Sequence, residues 1–521
     1  MLNFNIWYYF IYSIIEVHSA YLAEEQPSFQ LMNTPVNERI TSLRFKDCRV
    51  PGYSFIEKGT DNTDNFKCSN VRFFDDHTIK TTKPHVINQA RDLKMIRDMA
   101  KKLYKSGEYP ILEKCFLDKE DEKEKDILRD KWFKFCGSST WMDQYKVHFL
   151  VNRIVYSHKA HRNMPTISFV NAQVFDENWT EILDYKFPHS NLTFPSILPL
   201  QIDPNPSGKD EIMGTEDPRV ILRKYIDPYT NEAHQEPVII FNSRRTEINW
   251  KRAMHFHRPL TTPEKTVRMT IEGMKPRSRE KNWAPFFDED SSSINFVYSF
   301  NPLRVLKCDL ATGVCRKISG PDFQKQDVGA LRGGTNIIRV PSSFLPRGVA
   351  KLREYWFGIA RSHDDDCGCL HIVYRPHIFL ISRDIGSSNY TLDYVSSLVD
   401  FNINAETWNP ALKNAKCKDG KNVLIPNSIA YWDTAPAGDN SDEPSDIMGI
   451  TISEADRTNK IIHVKGILKH IRTVLGGDLE RIIEHYQETE HNGRENELLG
   501  GCATSLANDY CKKAQKDLKW T

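Results

Sequence analysis

The chain carries many short apolar runs between residues 145 and 382, with Gly, Pro, Asn or Asp between them. Runs of this length that are rich in β-branched and aromatic residues and bounded by turn formers predict β-strands. Strands and helical segments do not alternate regularly here, so we expect a mostly β fold of the sandwich, barrel or propeller type. The predicted strands lie at 147–156, 166–175, 219–225, 237–242, 294–300, 304–309, 315–318, 336–340, 355–361 and 370–382.

Helical periodicity occurs on both sides of this β-rich region. Apolar residues recur at helical spacing in 86–105, the charge-rich stretch 111–135 is predicted to be helical too, and the pattern returns in 466–487 with a glycine pair as a break. Residues 24–75 are polar with scattered Pro and Gly and predict an irregular stem. The predicted domains are a stem and helical N-terminal region (24–144), a β-rich domain (145–465) and a C-terminal helical segment (466–521).

The composition is that of an ordinary globular protein. The 521 residues carry a formal net charge of +1, with 40% hydrophobic and 27% charged residues. A nearly neutral chain has no excess charge to attract a polyelectrolyte. Nucleic acid is therefore not an expected partner.

The first residues form a separate apolar and aromatic run, Leu2 to Ile15. This run is shorter than the ~20 residues of a helix that spans a bilayer. It has the length of a signal-peptide core, although the basic residues that usually precede such a core are missing. Residues 1–23 are therefore predicted to be either a cleaved signal peptide or an uncleaved signal-anchor, and both direct the chain into the secretory pathway.

Glycosylation triplets and cysteine usage agree with an oxidising lumen. Acceptor triplets for N-glycosylation begin at Asn178, Asn191 and Asn389. The eleven cysteines include no CxxC pair and no Cys/His spacing of a zinc site. Cys308 and Cys315 flank a turn and are predicted to form a disulfide between neighbouring strands, whereas the pair Cys367 and Cys369 is expected to reach outward.

The stretch GTEDPRVIL (214–222) places three charges at the head of a predicted strand. In an extended segment alternate side chains share a face, so Asp217 and Arg219 are expected to point one way and Glu216 the other. Pro218 lacks a donor for the ladder and places this point at an end or edge of a sheet. The segment therefore presents a carboxylate and a guanidinium at the mouth of a β structure, unless the pair is only a salt bridge that ties a loop.

Other cationic clusters stand at comparable strand ends. A single cluster of this kind is typical of a solvated loop, but several around one sheet system predict a cleft for an anionic, hydroxyl-rich ligand. Trp283 is the aromatic residue that we expect to stack on a sugar face. The clusters are Arg153, Arg244 with Arg245, Lys281 with Asn282 and Trp283, Arg332 in RGGT, and Arg361 with His363.

Five motifs in this order resemble the fungal cell-wall β-1,2-mannosyltransferases. The EDPR core is also similar to that of mannoside phosphorylases built as a five-bladed β-propeller. The resemblance therefore implies a five-bladed β-propeller catalytic domain with N-terminal and C-terminal helical additions. The motifs are GTEDPRVIL (214–222), KNWAPF (281–286), FVYSFNPLRVL (296–306), LRGGT (331–335) and YWFGIARSH (355–363).

The resemblance also implies an activity, the transfer of mannose from GDP-mannose to a mannoside acceptor with formation of a β-1,2 bond. An α-linked donor and a β-linked product require inversion, which needs a base for the acceptor hydroxyl and positive charge for the diphosphate. Asp217 matches the carboxylate that acts as proton donor in the phosphorylases, so it is the implied base. Arg219 would hold Asp217 ionised or bind the sugar, and Glu216 would bind a sugar hydroxyl.

The donor and acceptor sites are expected to need no cofactor. Diphosphate binding is assigned to Arg244 or Arg245, Lys281, Arg332, Arg361 and His363, and the remaining substrate-binding residues are Arg153, Asn282 and Trp283. Two acidic triplets, 288–290 and 364–366, match the loose DxD pattern of metal-dependent transferases. A divalent metal is nevertheless not favoured, because acidic triplets in turns are usually solvated.

The acceptor is left open among oligomannosides of mannan, phosphomannan and a mannosylated glycolipid. The expected location is the Golgi membrane with a luminal catalytic domain, held as a single-pass type II protein through the N-terminal segment if that segment is not cleaved. Two alternatives are a β-mannoside phosphorylase or hydrolase that uses the same residues in reverse, and a non-catalytic mannan-binding propeller.

Overall fold

A computed structural model gives the fold of residues 36–509. The predictions for the N-terminal run, for Cys367 and Cys369 and for the acidic side chains of 364–366 lie outside the described part. Within that part, no helix has the length and apolar character needed to cross a bilayer. The internal gaps in the description are 55–67, 69–70, 90, 106–114, 117, 119–120, 161–164, 189, 207–211, 228–229, 262–264, 324–330, 365–372, 404–422, 437–443 and 477–498.

The fold is mostly β, as predicted, and each predicted apolar run contains a strand. Only the strand in the run 336–340 is much shorter than the run that predicted it. In chain order the strands are β1 Phe45–Arg49, β2 Gly52–Ser54, β3 Arg72–Phe74, β4 Thr78–Thr82, β5 His85–Val86, β6 Trp132–Met142, β7 Val147–Tyr156, β8 Ile167–Phe175, β9 Glu181–Ile182, β10 Ser196–Ile197, β11 Met213–Ile226, β12 Ala233–Arg245, β13 Lys251–Arg258, β14 Lys265–Arg268, β15 Thr270–Ile271, β16 Ala284–Phe286, β17 Ser293–Phe300, β18 Leu303–Asp309, β19 Val314–Ser319, β20 Leu331–Gly333, β21 Ile338–Arg339, β22 Arg353–Asp364, β23 Val373–Asp384, β24 Tyr390–Ser396, β25 Leu424–Ala435, β26 Ser445–Glu454 and β27 Thr458–Lys465.

Helices lie on both sides of the β-rich region, as predicted, and one short helix lies within it. The helices in 86–105 and 111–135 are shorter than the sequence pattern suggested, and residues 477–487 of the third predicted helix lie outside the described part. Residues 85 and 86 form strand β5, and the second predicted helix ends where β6 begins, at Trp132. The α-helices are α1 Val36–Ser42, α2 Asp92–Lys105, α3 Glu124–Lys131, α4 Arg347–Leu352, α5 Ile467–Leu475 and α6 499–509. Short 3₁₀ turns lie at Thr246–Ile248 and Ser342–Phe344.

The described strands form four sheets. The nine-stranded sheet has the order β14-β13-β12-β11-β8-β7-β6, and only two residue pairs join β11 to β8, so it divides into a first group (β6–β10) and a second group (β11–β14). The third group has the order β15-β19-β18-β17-β16 and the fourth β20-β22-β23-β24-β2-β3. The fifth has the order β1-β4-β27-β26-β25. In each group, one of the edge strands is named the central strand. The five central strands are β6, β11, β16, β20 and β25.

The central strands contact one another through backbone groups and small polar side chains. The amide of Val220 on β11 donates to Ser138 Oγ on β6 at 2.9 Å, and the amide of Ser139 donates to Ser428 Oγ on β25 at 2.7 Å. Beyond β20, Asn336 Oδ1 accepts from the amide of Ile429 on β25 at 2.8 Å. Since these strands meet, residues at their ends are brought close together.

Apolar cores fill the spaces between successive groups. One core joins the first and second groups, and others join the second to the third, the third to the fourth and the fourth to the fifth. A further core, with Trp141 and Tyr431, joins the fifth group back to the first. Strand β7 is buried along its whole length because cores cover both of its faces.

Two disulfides lie among the described cysteines. Cys308 and Cys315 are bonded across β18 and β19, as predicted from the turn between them. Cys68 and Cys502 form a second bond that the sequence did not predict, and it ties helix α6 to the core between the third and fourth groups.

The region predicted as an irregular stem, 24–75, contains strands β1 to β3, and β4 and β5 follow directly after it. Strands β2 and β3 extend the fourth group beyond β24, while β4 and β5 pair with β27 of the fifth group. The sheets therefore include strands that lie before residue 145. The division of the chain into domains stays a prediction.

Candidate active site

The acidic strand head of β11 is bent rather than extended. The ladder between β11 and β12 shifts between Glu216 and Arg219, and Asp217 has a φ of 52°. Such a bulge turns neighbouring side chains to new directions. The extended geometry predicted from the sequence is therefore wrong, because Glu216 and Asp217 both reach the same arginine.

That arginine is Arg153 on β7. Its Nη1 donates to Asp217 Oδ1 at 3.0 Å, and its Nη2 donates to Glu216 Oε2 at 3.2 Å. Its Nε donates to Ser168 Oγ at 3.1 Å, and its guanidinium lies over the ring of Phe135. Arg153 therefore fixes both carboxylates in one place.

The other oxygen of Glu216 is held by a residue that the sequence reasoning missed. Arg252, at the start of β13, donates from Nε to Glu216 Oε1 at 2.6 Å. A cation close to the beginning of an apolar strand is the same signal that pointed to the other clusters, so Arg252 could have been found by it. Glu216 thus bridges two arginines.

Arg219 does not pair with Asp217 as predicted. It is buried, its Nε donates to the carbonyl of Gly334 at 2.7 Å, and its Nη1 contacts Cys136 Sγ and the carbonyl of Pro218 at 2.9 Å. The guanidinium therefore joins β11 to the segment after β20. Its charge still acts on Asp217 through space.

Lys281 and Arg361 bring further positive charge to Asp217. Arg361 is buried, donates from Nη2 to Asn282 Oδ1 and lies over the ring of Tyr374. Among the described residues, Arg361 Nε has no hydrogen-bond partner and neither cation lies within ion-pair distance of a carboxylate. These two cations therefore have donor capacity left for a ligand.

Burial and charge set the protonation of this cluster. Burial alone would raise the pKa of Asp217, but the charges of Arg153, Arg361, Lys281 and Arg219 together hold that pKa well below its ordinary value. Burial lowers the pKa of Lys281 to about 8, against the opposing effect of Asp217. Asp217 is therefore ionised at neutral pH, and Lys281 loses its proton at mildly alkaline pH.

Arg332 and His363 lie on the neighbouring strands β20 and β22. Arg332 pairs with Arg361 in the ladder, and its pKa is lowered by burial and then by the charge of Arg361. The ring of His363 lies 5.2 Å from that of Tyr374, centroid to centroid. Arg332 and His363 thus lie close to the cations Lys281 and Arg361.

Three predicted ligands have other contacts. Trp283 is 4% exposed, packs in the core between the second and third groups and donates from Nε1 to Glu280, so it offers no open face to a sugar. Arg245 is buried and paired with Asp203, whereas the guanidinium of Arg244 donates to the carbonyl of Trp250. Burial and these contacts argue against a substrate role for Trp283 and Arg245.

The acidic triplet 288–290 is occupied by cations of the protein. Asp288 and Asp290 are paired with Lys307, and Glu289 is paired with Arg339. In the part of the chain that the structure describes, no group of three or more His, Cys, Asp or Glu is arranged to hold a metal ion.

A buried ionised carboxylate beside cations with spare donors suits a transfer reaction in which one group gives up a proton and another leaves as an anion. Comparisons with known proteins define the class. The family of β-mannosyltransferases matches residues 67–262 and 261–510. The chain is 44% identical to β-mannosyltransferase 3 of Candida albicans over 100% of this chain and 90% of that protein. It is 32% identical to β-mannosyltransferase 1 of Komagataella phaffii, over 94% and 74% of the two chains.

The chain therefore belongs to the β-mannosyltransferase family, and it is a glycosyltransferase that uses a mannose donor and a mannoside acceptor. Among solved structures, a mannose phosphorylase of Leishmania mexicana in complex with phosphate is similar at 10% identity and a TM-score of 0.35, over 64% of this chain and 84% of that chain.

Proposed function

We propose that the protein transfers mannose from GDP-mannose to a mannoside acceptor with inversion and forms a β-1,2 bond. One observation carries the proposal: Asp217 is held ionised at the meeting point of the central strands, next to two cations that have no carboxylate partner among the described residues. An inverting transfer needs this combination of a proton acceptor and a site for a departing diphosphate.

Asp217 is the proposed base. It takes the proton of the acceptor hydroxyl while the acceptor oxygen forms its bond to C1 of mannose. The bond between C1 and the phosphate oxygen breaks, and GDP leaves with the bonding electrons. The pKa of Asp217 is low in the free protein, and the negative diphosphate of the donor would raise it by offsetting nearby positive charge.

Glu216 and the arginines around it are proposed to position the base. Glu216 is held by Arg153 on one side and Arg252 on the other, so its role is to fix Arg153 against Asp217 rather than to bind a sugar hydroxyl alone. Arg219, with its donors on Gly334 and Cys136, fixes the strand that carries Asp217.

The departing diphosphate is proposed to lie against Lys281 and Arg361, with Arg332 and His363 beside them. Arginine suits this role because its planar fork binds phosphate oxygens in pairs. Asn282 orients Arg361 through its side-chain oxygen. A site composed of donors that are already fixed in place stabilises a leaving anion without reorganisation.

The domain is proposed to be a five-bladed β-propeller. Two features support this architecture. Hydrogen bonds join β6 to β11, β11 to the segment after β20, that segment to β25, and β25 back to β6. The apolar cores lead from the first group through the fifth and back to the first. Each of the five groups would be one blade, with Asp217 on the central strand of the second.

The direct test is a transfer assay with the full-length protein in detergent. GDP-mannose and short α- and β-mannosides are supplied, and the linkage of the product is determined by NMR. A β-1,2-linked product supports the proposal. If GDP-mannose is not consumed and β-mannosides are instead cleaved in phosphate buffer with release of mannose 1-phosphate, the protein is a phosphorylase.

Lys281 makes donor binding dependent on pH. With a pKa of about 8, its amine is charged below this pH and neutral above it, so GDP affinity is expected to fall as the pH rises through 8. Titration calorimetry with GDP at pH 6.5, 7.5 and 8.5 measures the change. Lys281→Arg keeps its charge over this range and should abolish the dependence, and an unchanged profile in that variant would contradict the assignment.

The protein is proposed to be a luminal enzyme of the secretory pathway, held at the Golgi membrane through its N-terminal segment. The three asparagines of the glycosylation triplets are exposed in the folded domain. We expect endoglycosidase treatment of the protein from a yeast host to lower its mass, and triple replacement of these asparagines by Gln to remove the shift. A protein without glycans would argue against passage through the lumen.

A further inference from the structure

The central strands β6, β11 and β25 each contain a bulge close to their first residues. The bulges lie within 135–138, 216–219 and 426–428. They contact one another, because Arg219 Nη1 donates to Cys136 Sγ at 2.9 Å and the same thiol donates to Asn427 Oδ1 at 3.6 Å. The bulge that carries Asp217 is thus joined to the other two through the thiol of Cys136.

Polar side chains of the fifth group hold Cys136 in place. The amide of Cys136 donates to Ser453 Oγ at 2.7 Å, and the amide of Gly137 donates to Asn459 Oδ1 at 2.7 Å. Asn427 Nδ2 also donates to Ser453 Oγ at 2.7 Å. Cys136 and these three polar side chains are buried, and a buried polar group is stable only when it is hydrogen-bonded. The network therefore defines one position for the thiol.

The thiol of Cys136 is neutral. Burial raises the pKa of Cys136 by more than the charge of Arg219 lowers it. Arg219 also donates to the carbonyls of Gly334 and Pro218, which are neutral too. Neutral acceptors thus hold the guanidinium in place without offsetting its charge, and that charge helps to keep Asp217 ionised. A thiolate at this position would offset the charge.

We propose that Cys136 and Asn427 are positioning residues of the transfer reaction, which together hold the guanidinium of Arg219 beside Asp217. This inference rests on the proposed function and adds to it the residues that fix the charge behind the base. Cys136 acts through Arg219, and Asn427 acts through Cys136. A thiol suits this role because it accepts a hydrogen bond from the guanidinium and donates one to the amide oxygen without carrying a charge.

The test replaces Cys136 by Ala and by Ser in the full-length protein. Alanine removes an acceptor of Arg219, so we expect kcat to fall about tenfold with unchanged KM for GDP-mannose, because a displaced base lowers the rate and not the affinity. Serine can form both hydrogen bonds and should recover most of kcat. Cys115→Ala is the matched control, because Cys115 is a buried free cysteine in a core with Ile96 of helix α2, and it should lower stability alone.

Double variants with Asp217→Asn separate this inference from the proposed function. If Cys136 acts through the base, Cys136→Ala should not lower the residual kcat of Asp217→Asn any further. The urea midpoint of unfolding needs no turnover, so it applies even if the protein transfers no mannose from GDP-mannose. Cys136→Ala should shift this midpoint less in the Asp217→Asn background, because the carboxylate that attracts Arg219 is absent. Additive midpoint shifts, a higher KM with unchanged kcat, or a serine variant no more active than the alanine variant would each overturn the inference.

Discussion

Replacement of Asp217 by Asn is expected to lower kcat by about 10²–10⁴-fold, the usual contribution of a general base. The amide has the shape of the carboxylate but cannot take the proton of the acceptor. The same change removes a negative charge that raises the pKa of Lys281, so that pKa should fall further and donor binding at pH 8 should weaken. Steady-state kinetics at pH 6.5 with saturating GDP-mannose measures the loss of the base, because a saturating donor offsets weaker binding at Lys281.

Asp203→Asn is the matched control for this variant. Asp203 is also a buried aspartate paired with an arginine, but its partner is Arg245 and it lies outside the cluster around Asp217. We expect the control to lose stability without a change in kcat. An Asp217→Asn protein with the kcat of the wild type would rule out Asp217 as the base.

Replacement of Arg153 by Met should affect both activity and stability. Removing one partner of a buried ion pair costs about 3–5 kcal/mol, and here it leaves two neighbouring carboxylates without their shared cation. Asp217 would then be displaced, so we expect kcat to fall about a hundredfold, as a misplaced catalytic group predicts. Urea unfolding gives the free energy, and kcat is measured at a temperature at which the variant is folded.

Two further variants test whether catalysis needs the paired guanidinium donors of Arg153. Arg153→Lys keeps the charge but cannot hold two carboxylates with paired donors, so kcat should recover only in part. Arg245→Met removes an equally buried arginine from the pair with Asp203 and should lower stability alone. If Arg153→Met and Arg245→Met both lowered only the stability, Arg153 would be a structural residue without influence on the base.

The starts of the strands could be predicted from the sequence because turn formers and apolar runs mark the ends of strands. Arg153, Lys281 and Arg361 were expected at such ends, and the structure brings them around Asp217. The direction in which the side chains point could not be predicted from the sequence. A β-bulge at Asp217 reverses the alternation of an ideal strand, and it depends on the pairing with β12, which a local pattern does not contain.

Long-range pairing accounts for the other differences. Burial of Trp283 depends on the second group packing against the third, and the bond between Cys68 and Cys502 joins residues 434 positions apart. Strands β2 to β5 are too short and too polar to show a period of their own, and they become strands because β24 and β27 offer free edges.

The pairing of β4 with β27 also sets the order in which the parts of the protein can fold. Thr81 on β4 meets a partner, Val464, that is synthesised about 380 residues later. At a translation speed of ~5–20 residues per second, the early strand waits roughly 20 to 80 seconds for that partner. Throughout this interval the edge of β4 that faces away from β1 has unpaired backbone donors and acceptors, which other chains can bind. Folding of the fifth group is thus coupled to the end of synthesis, and the yield of intact protein should depend on the chaperones that shield the N-terminal strands until then.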